Sequence, residues 1–235
     1  MAVSIKSARE IELMREAGKR LAHVHQELEA MIAPGISTWE IDAKGEKLIR
    51  DCGCIPNFLH YNGYPASICV SVNDEVVHGI PRKDRYLKEG DIVSLDAGLI
   101  YKGYHSDAAR THAVGKVSTE AQKLMDVTKQ SFFEGIKMAK EGQHLHDISR
   151  AIEEYVTPYG YGIVRDLVGH GIGTALHEDP QIPNYAQKRR GVRLQAGMTL
   201  AIEPMINAGT WQVRFLRDGW TVVTKDGSLS AHYEN

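Results

Sequence analysis

Cysteine is scarce in this sequence: Cys52, Cys54 and Cys69 are the only three in 235 residues. An odd number without framework spacing excludes a disulfide-stapled scaffold. Cys52-Gly53-Cys54 also lacks the second cysteine pair that a thiolate metal site needs. Charge of either sign is not in excess. The formal net charge is -2, so broad electrostatics gives no reason to expect nucleic acid or a membrane surface as partner. The short basic run Lys188-Arg189-Arg190 reads as a solvated loop. No apolar run approaches the ~18 residues of a membrane span. The charged, helically patterned opening MAVSIKSAREIELMREAGKR does not read as a signal peptide. Low-complexity tracts and linkers are missing too. These absences predict a reduced, cytoplasmic protein, long enough to bury a real core as a single unit over residues 1–235.

What is present begins with helices. Ser7 with Glu10 makes a capping box, apolar residues recur from Ile11 to Ile32, and Pro34-Gly35 is the stop. A second box, Ser37 with Glu40, opens a helix that ends near Gly53. Thr119 with Gln122 predicts a third helix to about Lys140, and a fourth runs from about His146 to Gly160. The two passages align without gaps at an offset of 107, which carries Met31 onto Met138, Gly35 onto Gly142 and Gly53 onto Gly160. The same offset lays LKEGDIVSLD (Leu87–Asp96) on LQAGMTLAIE (Leu194–Glu203). Each is a glycine turn followed by an apolar strand that closes on a carboxylate. Two similar halves, about 7–115 and 116–235, would each bring an acid to a shared place.

The acids have company. Lys102-Gly103 predicts a hairpin turn, which sets Asp96 and Asp107 on one face with Cβ atoms roughly 5–8 Å apart. Two bare carboxylates that close repel, and a cation between them removes the conflict. The bland alternative is a solvent-facing hairpin. Glu203 in Ile202-Glu203-Pro204 sits in an apolar strand, where an unpaired carboxylate is costly. Glu234 follows a stretch of strand character, and alone it would pass for surface decoration. In VGHGIGTALHEDP (Val168–Pro180), glycines around His170 make a poor helix, so His170 and His177 do not form an H-x-x-x-H zinc grip. A strand end and turn is the better reading, in which the two imidazoles have different jobs and the glycines admit a close neighbour. Two Asp, two Glu and one His without thiolate suit Mn, Fe(II) or Co, with Zn also acceptable. Such a set can hold two ions ~3.5–4 Å apart.

In order and spacing, Asp96, Asp107, His170 in GHGIG, Glu203 in IEPM and Glu234 in SAHYEN resemble the bacterial type I methionine aminopeptidases. YNGYP (Tyr61–Pro65), NDEVVHGIP (Asn73–Pro81) and DGWTVVTKDGSLSA (Asp218–Ala231) extend the resemblance along nearly the whole chain. It implies an α/β (α+β) pita-bread fold, two pseudo-symmetric halves of antiparallel sheet covered by helices, with two divalent metal ions between them. It also implies release of the N-terminal methionine of nascent polypeptides whose second residue is small. On this reading a hydroxide bridging the metals attacks the carbonyl, with Glu203 as ligand and general base. His177 stabilises the oxyanion, and His78 contacts substrate from the other side. Tyr61, Tyr64, Cys69 and Trp220 line the methionine pocket, and Gly171 and Gly173 leave room for peptide. A monomer is expected, with transient ribosome contact as the one further partner.

Three departures stand out. Phe58 and Leu176 replace a small cysteine and an aromatic common among relatives. Asn235 follows Glu234 directly where relatives run on into a further strand, which predicts a Glu234 held mainly by the metals. Rival readings fit less well. X-Pro aminopeptidases and prolidases place a separate domain before the catalytic part, for which the residues ahead of Asp96 leave no room. Type II enzymes insert a subdomain, and the short steps from His170 to Glu203 and Glu234 contain none. A non-catalytic binding protein on the same fold predicts lost ligands and a basic surface.

Overall fold

The computed structural model describes residues 3–235. Helices α1 (Ala8–Glu29) and α2 (Thr38–Asp51) start at the two expected capping boxes, with both reciprocal hydrogen bonds made in each. Helix α3 (Thr119–Ile136) is capped one residue earlier than the sequence suggested. Ser118 Oγ accepts from Ala121 N–H at 3.1 Å, while Gln122 reaches forward to Asp126. It also ends four residues before Lys140. Helix α4 (Leu145–Val156) gives way to a tighter turn before left-handed Gly160.

The described residues also form thirteen antiparallel strands, most of them short. The first half carries β1 (Ile55–Pro56), β2 (Ile68–Val72), β3 (Glu75–Val77), β4 (Ile92–Tyr101) and β5 (Tyr104–Ala113). The second carries β6 (Gly162–Ile163), β7 (Gly169–Gly171), β8 (Glu178–Ile182), β9 (Leu200–Ala201), β10 (Met205–Asn207), β11 (Val213–Phe215), β12 (Val222–Thr224) and β13 (Ser230–His232). Strand β4 is the spine, pairing with β5 on one side and with β1 and β2 on the other. Strand β10 lies between β13 and β6, and β7 between β8 and β9.

The offset of 107 reappears in the hydrogen bonds. Gly35 N–H donates to Leu87 C=O at 2.7 Å, and Gly142 N–H to Leu194 C=O at 3.0 Å. Leu87 N–H donates to Ile36 C=O and Leu194 N–H to Gln143 C=O, both at 2.8 Å. Gly35 and Gly142 hold φ of 93° and 87°, values that favour a residue without Cβ. So the matched glycines mark one turn used twice.

Strand alternation decides which side chains reach the interior of each half. Val93, Leu95, Ala97 and Leu99 of β4 face α1 and α2, in a core with Leu21, Leu28 and Ile41. The intervening Ser94 and Asp96 therefore point to the opposite face. A second core packs α3 and α4, through Leu124, Ile148 and Ile152, on Ile206 and Ala231. Among the described residues no helix is long and apolar enough to cross a membrane.

Candidate metal centre

The β4–β5 hairpin turns at Lys102-Gly103, both with positive φ (50° and 83°), as a two-residue turn of this hand requires. The register pairs Asp96 with Ala109 and Asp107 with Gly98. The two aspartates are therefore diagonal neighbours on the face away from α1 and α2. Each leaves one buried Oδ1 without a hydrogen-bond partner. Buried carboxylate oxygens are costly to leave unpaired, and a cation resolves that cost.

His170 lies in the middle of β7 and is buried. Its Nδ1 is 2.8 Å from the Gly171 carbonyl oxygen, which accepts only from Nδ1–H. That fixes the tautomer and leaves Nε2 free as a lone-pair donor. Nε2 is 3.6 Å from Glu203 Oε1. Close approach to the neighbouring glycines does occur, but the occupant is the chain itself. A Cβ at Gly171 would collide with the Asp179 carbonyl on β8, and one at Gly173 would meet Glu178 and Lys6. The expectation that these glycines make room for peptide is therefore corrected. Gly171→Ala is expected to cost about 1–3 kcal/mol through forced separation of β7 and β8. Thermal denaturation reads this directly, and an unchanged melting temperature would contradict it.

Glu203 does not lie inside a long apolar strand. It falls between the short strands β9 and β10, where Asn184 Nδ2 donates to its backbone carbonyl at 3.0 Å. Glu234 is 2 % exposed, and protein contacts hold it where the sequence predicted that the metals would. Its N–H donates to Ala109 C=O at 2.9 Å, and Ala109 N–H donates back at 3.3 Å. Asn235 exchanges both backbone hydrogen bonds with Ile202. The Arg110 guanidinium donates to the Glu234 carbonyl and, at 2.7 Å, to Asn235 Oδ1, and lies over the Tyr233 ring. Arg110, which follows Asp107 on β5, thus ties both halves together.

Ligand-capable atoms gather in two groups that share one member. Asp107, His170 and Glu234 bring theirs within 4.8 Å of one another, and so do Asp96, His232 and Glu234. A carboxylate common to two groups is what a bridging ligand requires. His232 was not foreseen. Strand alternation was the available signal, because a strand through SAHYEN puts positions 232 and 234 on one face.

Burial sets the electrostatics. It is the main force raising the carboxyls of Asp96, Glu203 and Glu234 well above their ordinary range, with neighbouring carboxylates adding to it. Asp107 is pushed up to about 7 by the same cause. Burial also lowers His170 and His78 to about 4, so both imidazoles are neutral at pH 7 and available as ligand or hydrogen-bond partner. Four such carboxyls facing one another fit a group of high positive charge. The oxygen-rich, thiolate-free donor set fits Mn, Fe(II) or Co, and tolerates Zn.

The acids form one wall of a cavity of about 280 Å³. Tyr61, Tyr64, Cys69, His78, His177 and Trp220 all line it, so every predicted pocket residue reaches the same space. Phe58 and Leu176 line it as well and pack with Tyr64 and Cys69. Tyr64 OH donates to Gly79 C=O at 2.9 Å, and its ring meets Trp220 edge-on. Tyr61 does more than form a wall, since its OH is 2.8 Å from His177 Nδ1. His177 also packs on the His170 ring, with centroids 4.3 Å apart. His78 has φ 58°, an uncommon conformation outside glycine that marks a constrained position, and faces Trp220.

Comparison with known proteins follows the same line. Residues 12–234 match metallopeptidase family M24. The methionine aminopeptidase of Clostridium acetobutylicum is 54% identical over 233 residues, which are 99% of this chain and 93% of that protein. The crystal structure of the Thermotoga maritima methionine aminopeptidase superposes with a TM-score of 0.97 at 46% identity, covering 99% of this chain and 94% of that one. The Xaa-Pro dipeptidase of Bacillus anthracis is more distant, with a TM-score of 0.77 and 26% identity; 98% of this chain covers only 57% of that one. The chain belongs to metallopeptidase family M24, in its methionine aminopeptidase branch, and has the pita-bread fold.

Proposed function

We propose that this chain removes the N-terminal methionine of nascent proteins and peptides with a small second residue, using two divalent metal ions. The observation that carries the reading is the sharing of Glu234 by two groups of ligand atoms at the wall of the 280 Å³ cavity. Asp96 and Glu234 would hold one ion, and Asp107, His170, Glu203 and Glu234 the other. When bound, two such ions lower the pKa of water towards neutrality and supply positive charge to the scissile carbonyl. The residues of the chain do the rest. Glu203 takes the proton released by water and passes it to the leaving amine. The free cysteines fit a reducing cytoplasm.

The oxyanion role of His177 rests on its tautomer. Burial lowers its pKa, so the ring is neutral near pH 7. We assign Tyr61 OH, 2.8 Å from Nδ1, as the donor of that hydrogen bond; the proton is then on Nε2, which donates to a developing oxyanion. His177→Ala is expected to reduce kcat by roughly 10²–10³-fold with both metals retained. Tyr61→Phe should act in the same direction and more weakly, because it loosens the tautomer without removing the ring. Steady-state kinetics beside metal analysis checks both, and loss of metal in His177→Ala would reassign it as a ligand. The methionine side chain would pack against Tyr64, Trp220 and Cys69, surfaces that suit a thioether. Phe58 and Leu176 shape the same cavity.

The test is metal titration into chelator-stripped protein. Met-Ala and Met-Gly peptides should release methionine as Mn, Fe(II) or Co is restored, Met-Leu should release little, and an X-Pro peptide none. Release from the X-Pro peptide alone would favour the prolidase-like alternative. No release at any metal level from correctly folded protein would favour a non-catalytic binding role.

A further inference from the structure

We propose that His232 is itself a metal ligand, its Nε2 completing the position formed by Asp96 and Glu234. The two positions then carry one imidazole each, His170 on one and His232 on the other. This rests on the dinuclear reading above and adds a donor that the resemblance does not supply.

Four observations carry it. His232 is 2 % exposed, and its Nε2 is buried without a hydrogen-bond partner. His232 belongs with Asp96 and Glu234 to a group whose ligand atoms all lie within 4.8 Å of each other. The backbone is pinned from both sides, since His232 N–H donates to Thr111 Oγ1 at 2.8 Å and Thr111 Oγ1 donates to the His232 carbonyl at 2.9 Å. Pairing of His232 with Met205 on β10 holds the strand from its other edge. The ring is therefore placed by the sheet and does not need an ion to bring it there.

The fourth observation is a distance. His232 Nε2 is 3.5 Å from Glu234 Oε2, and His170 Nε2 is 3.6 Å from Glu203 Oε1. Both exceed a good N–H···O hydrogen bond. Two ligands each roughly 2.1 Å from one ion stand about 3.0–3.5 Å apart. The two imidazole–carboxylate pairs thus have nearly the same separation, close to the spacing of co-ligands. A nitrogen donor on each position favours borderline ions such as Co(II) and Zn(II) over Mn(II), which prefers oxygen.

The experiment is titration of Co(II) into metal-free protein, comparing wild type with His232→Gln. Glutamine keeps the reach and a hydrogen-bonding amide while being a poor ligand. Wild type should bind two ions. His232→Gln should weaken one of the two by roughly 10–100-fold, with a changed visible absorption for that ion alone. In the Co(II)-loaded wild type, proton NMR should show two strongly shifted imidazole N–H signals that vanish in D2O, and the variant one. Two ions bound with a single such signal in wild type would overturn the proposal, whatever the variant does. So would wild-type affinity for both ions in His232→Gln, which would make His232 a hydrogen-bonding residue that positions Glu234. Binding of one ion only by wild type would instead remove the dinuclear reading, and this inference with it.

Discussion

Glu203→Gln is expected to lower kcat by roughly 10²–10⁴-fold at saturating metal, the range associated with loss of a general acid–base group. The substitution keeps volume and removes the proton acceptor. Glu203 lies between β9 and β10, beside His170 and at the cavity wall, a position that supports the proposed role. It is absent from both tight groups of ligand atoms, so the amide variant should keep both ions, the one beside His170 with reduced affinity. Asp107→Asn and Glu234→Gln should behave differently, because removing a group member costs metal before it costs chemistry. The measurement is kcat for a Met-Ala peptide beside metal stoichiometry. A Glu203→Gln enzyme with near wild-type kcat would transfer the base role elsewhere, and His78, which lines the same cavity, is the next candidate.

How much of this could be read beforehand varies with the kind of signal. Glycine positions with left-handed φ and capping boxes are local, so α1, α2 and the turns at Gly35 and Gly142 were legible. The hairpin register followed from a two-residue turn and period-two alternation, which placed Asp96 and Asp107 on one face. The second half was harder. Its strands are two, three or five residues long, too short for a periodic pattern, and Glu203 falls in a break that the apolar run IEP concealed. The neighbours of Gly171 and Gly173 come from β8 and from Lys6, contacts no local pattern reveals. The anchoring of Glu234 depends on Arg110 and Ile202, far away in the chain. His232 lay within reach of a simple rule, since strand alternation puts positions 232 and 234 on one face.

Stripping the metals is expected to lower the melting temperature by roughly 10–20 °C at pH 7.5. Two ions, each at about 100 times its Kd, contribute roughly 5 kcal/mol together, and a chain of this size shifts about 2–4 °C per kcal/mol. The loss should grow with pH. In the metal-free chain the carboxyls of Asp96, Asp107, Glu203 and Glu234 are raised above their unfolded values, chiefly by burial. The native chain then holds protons that the unfolded chain has released. Stability from these groups is full below the ordinary carboxylate range and is lost as pH climbs through the raised values, Asp107 at about 7. Buried imidazoles work in the opposite sense. His78 and His170 are lowered from 6.5 to about 4, so their contribution is lost at low pH, returns as pH rises from about 4 to 6.5, and is complete above that. Between pH 6.5 and 8 only the carboxyls still act, and the metal-free melting temperature should fall. The loaded protein should hold or rise over the same interval, since deprotonated ligands are the form that binds. Melting curves at three pH values, with and without Mn(II), decide it. A metal-free protein whose stability rises from pH 6.5 to 8 would mean that the four carboxyls are already ionised and compensated by the protein alone.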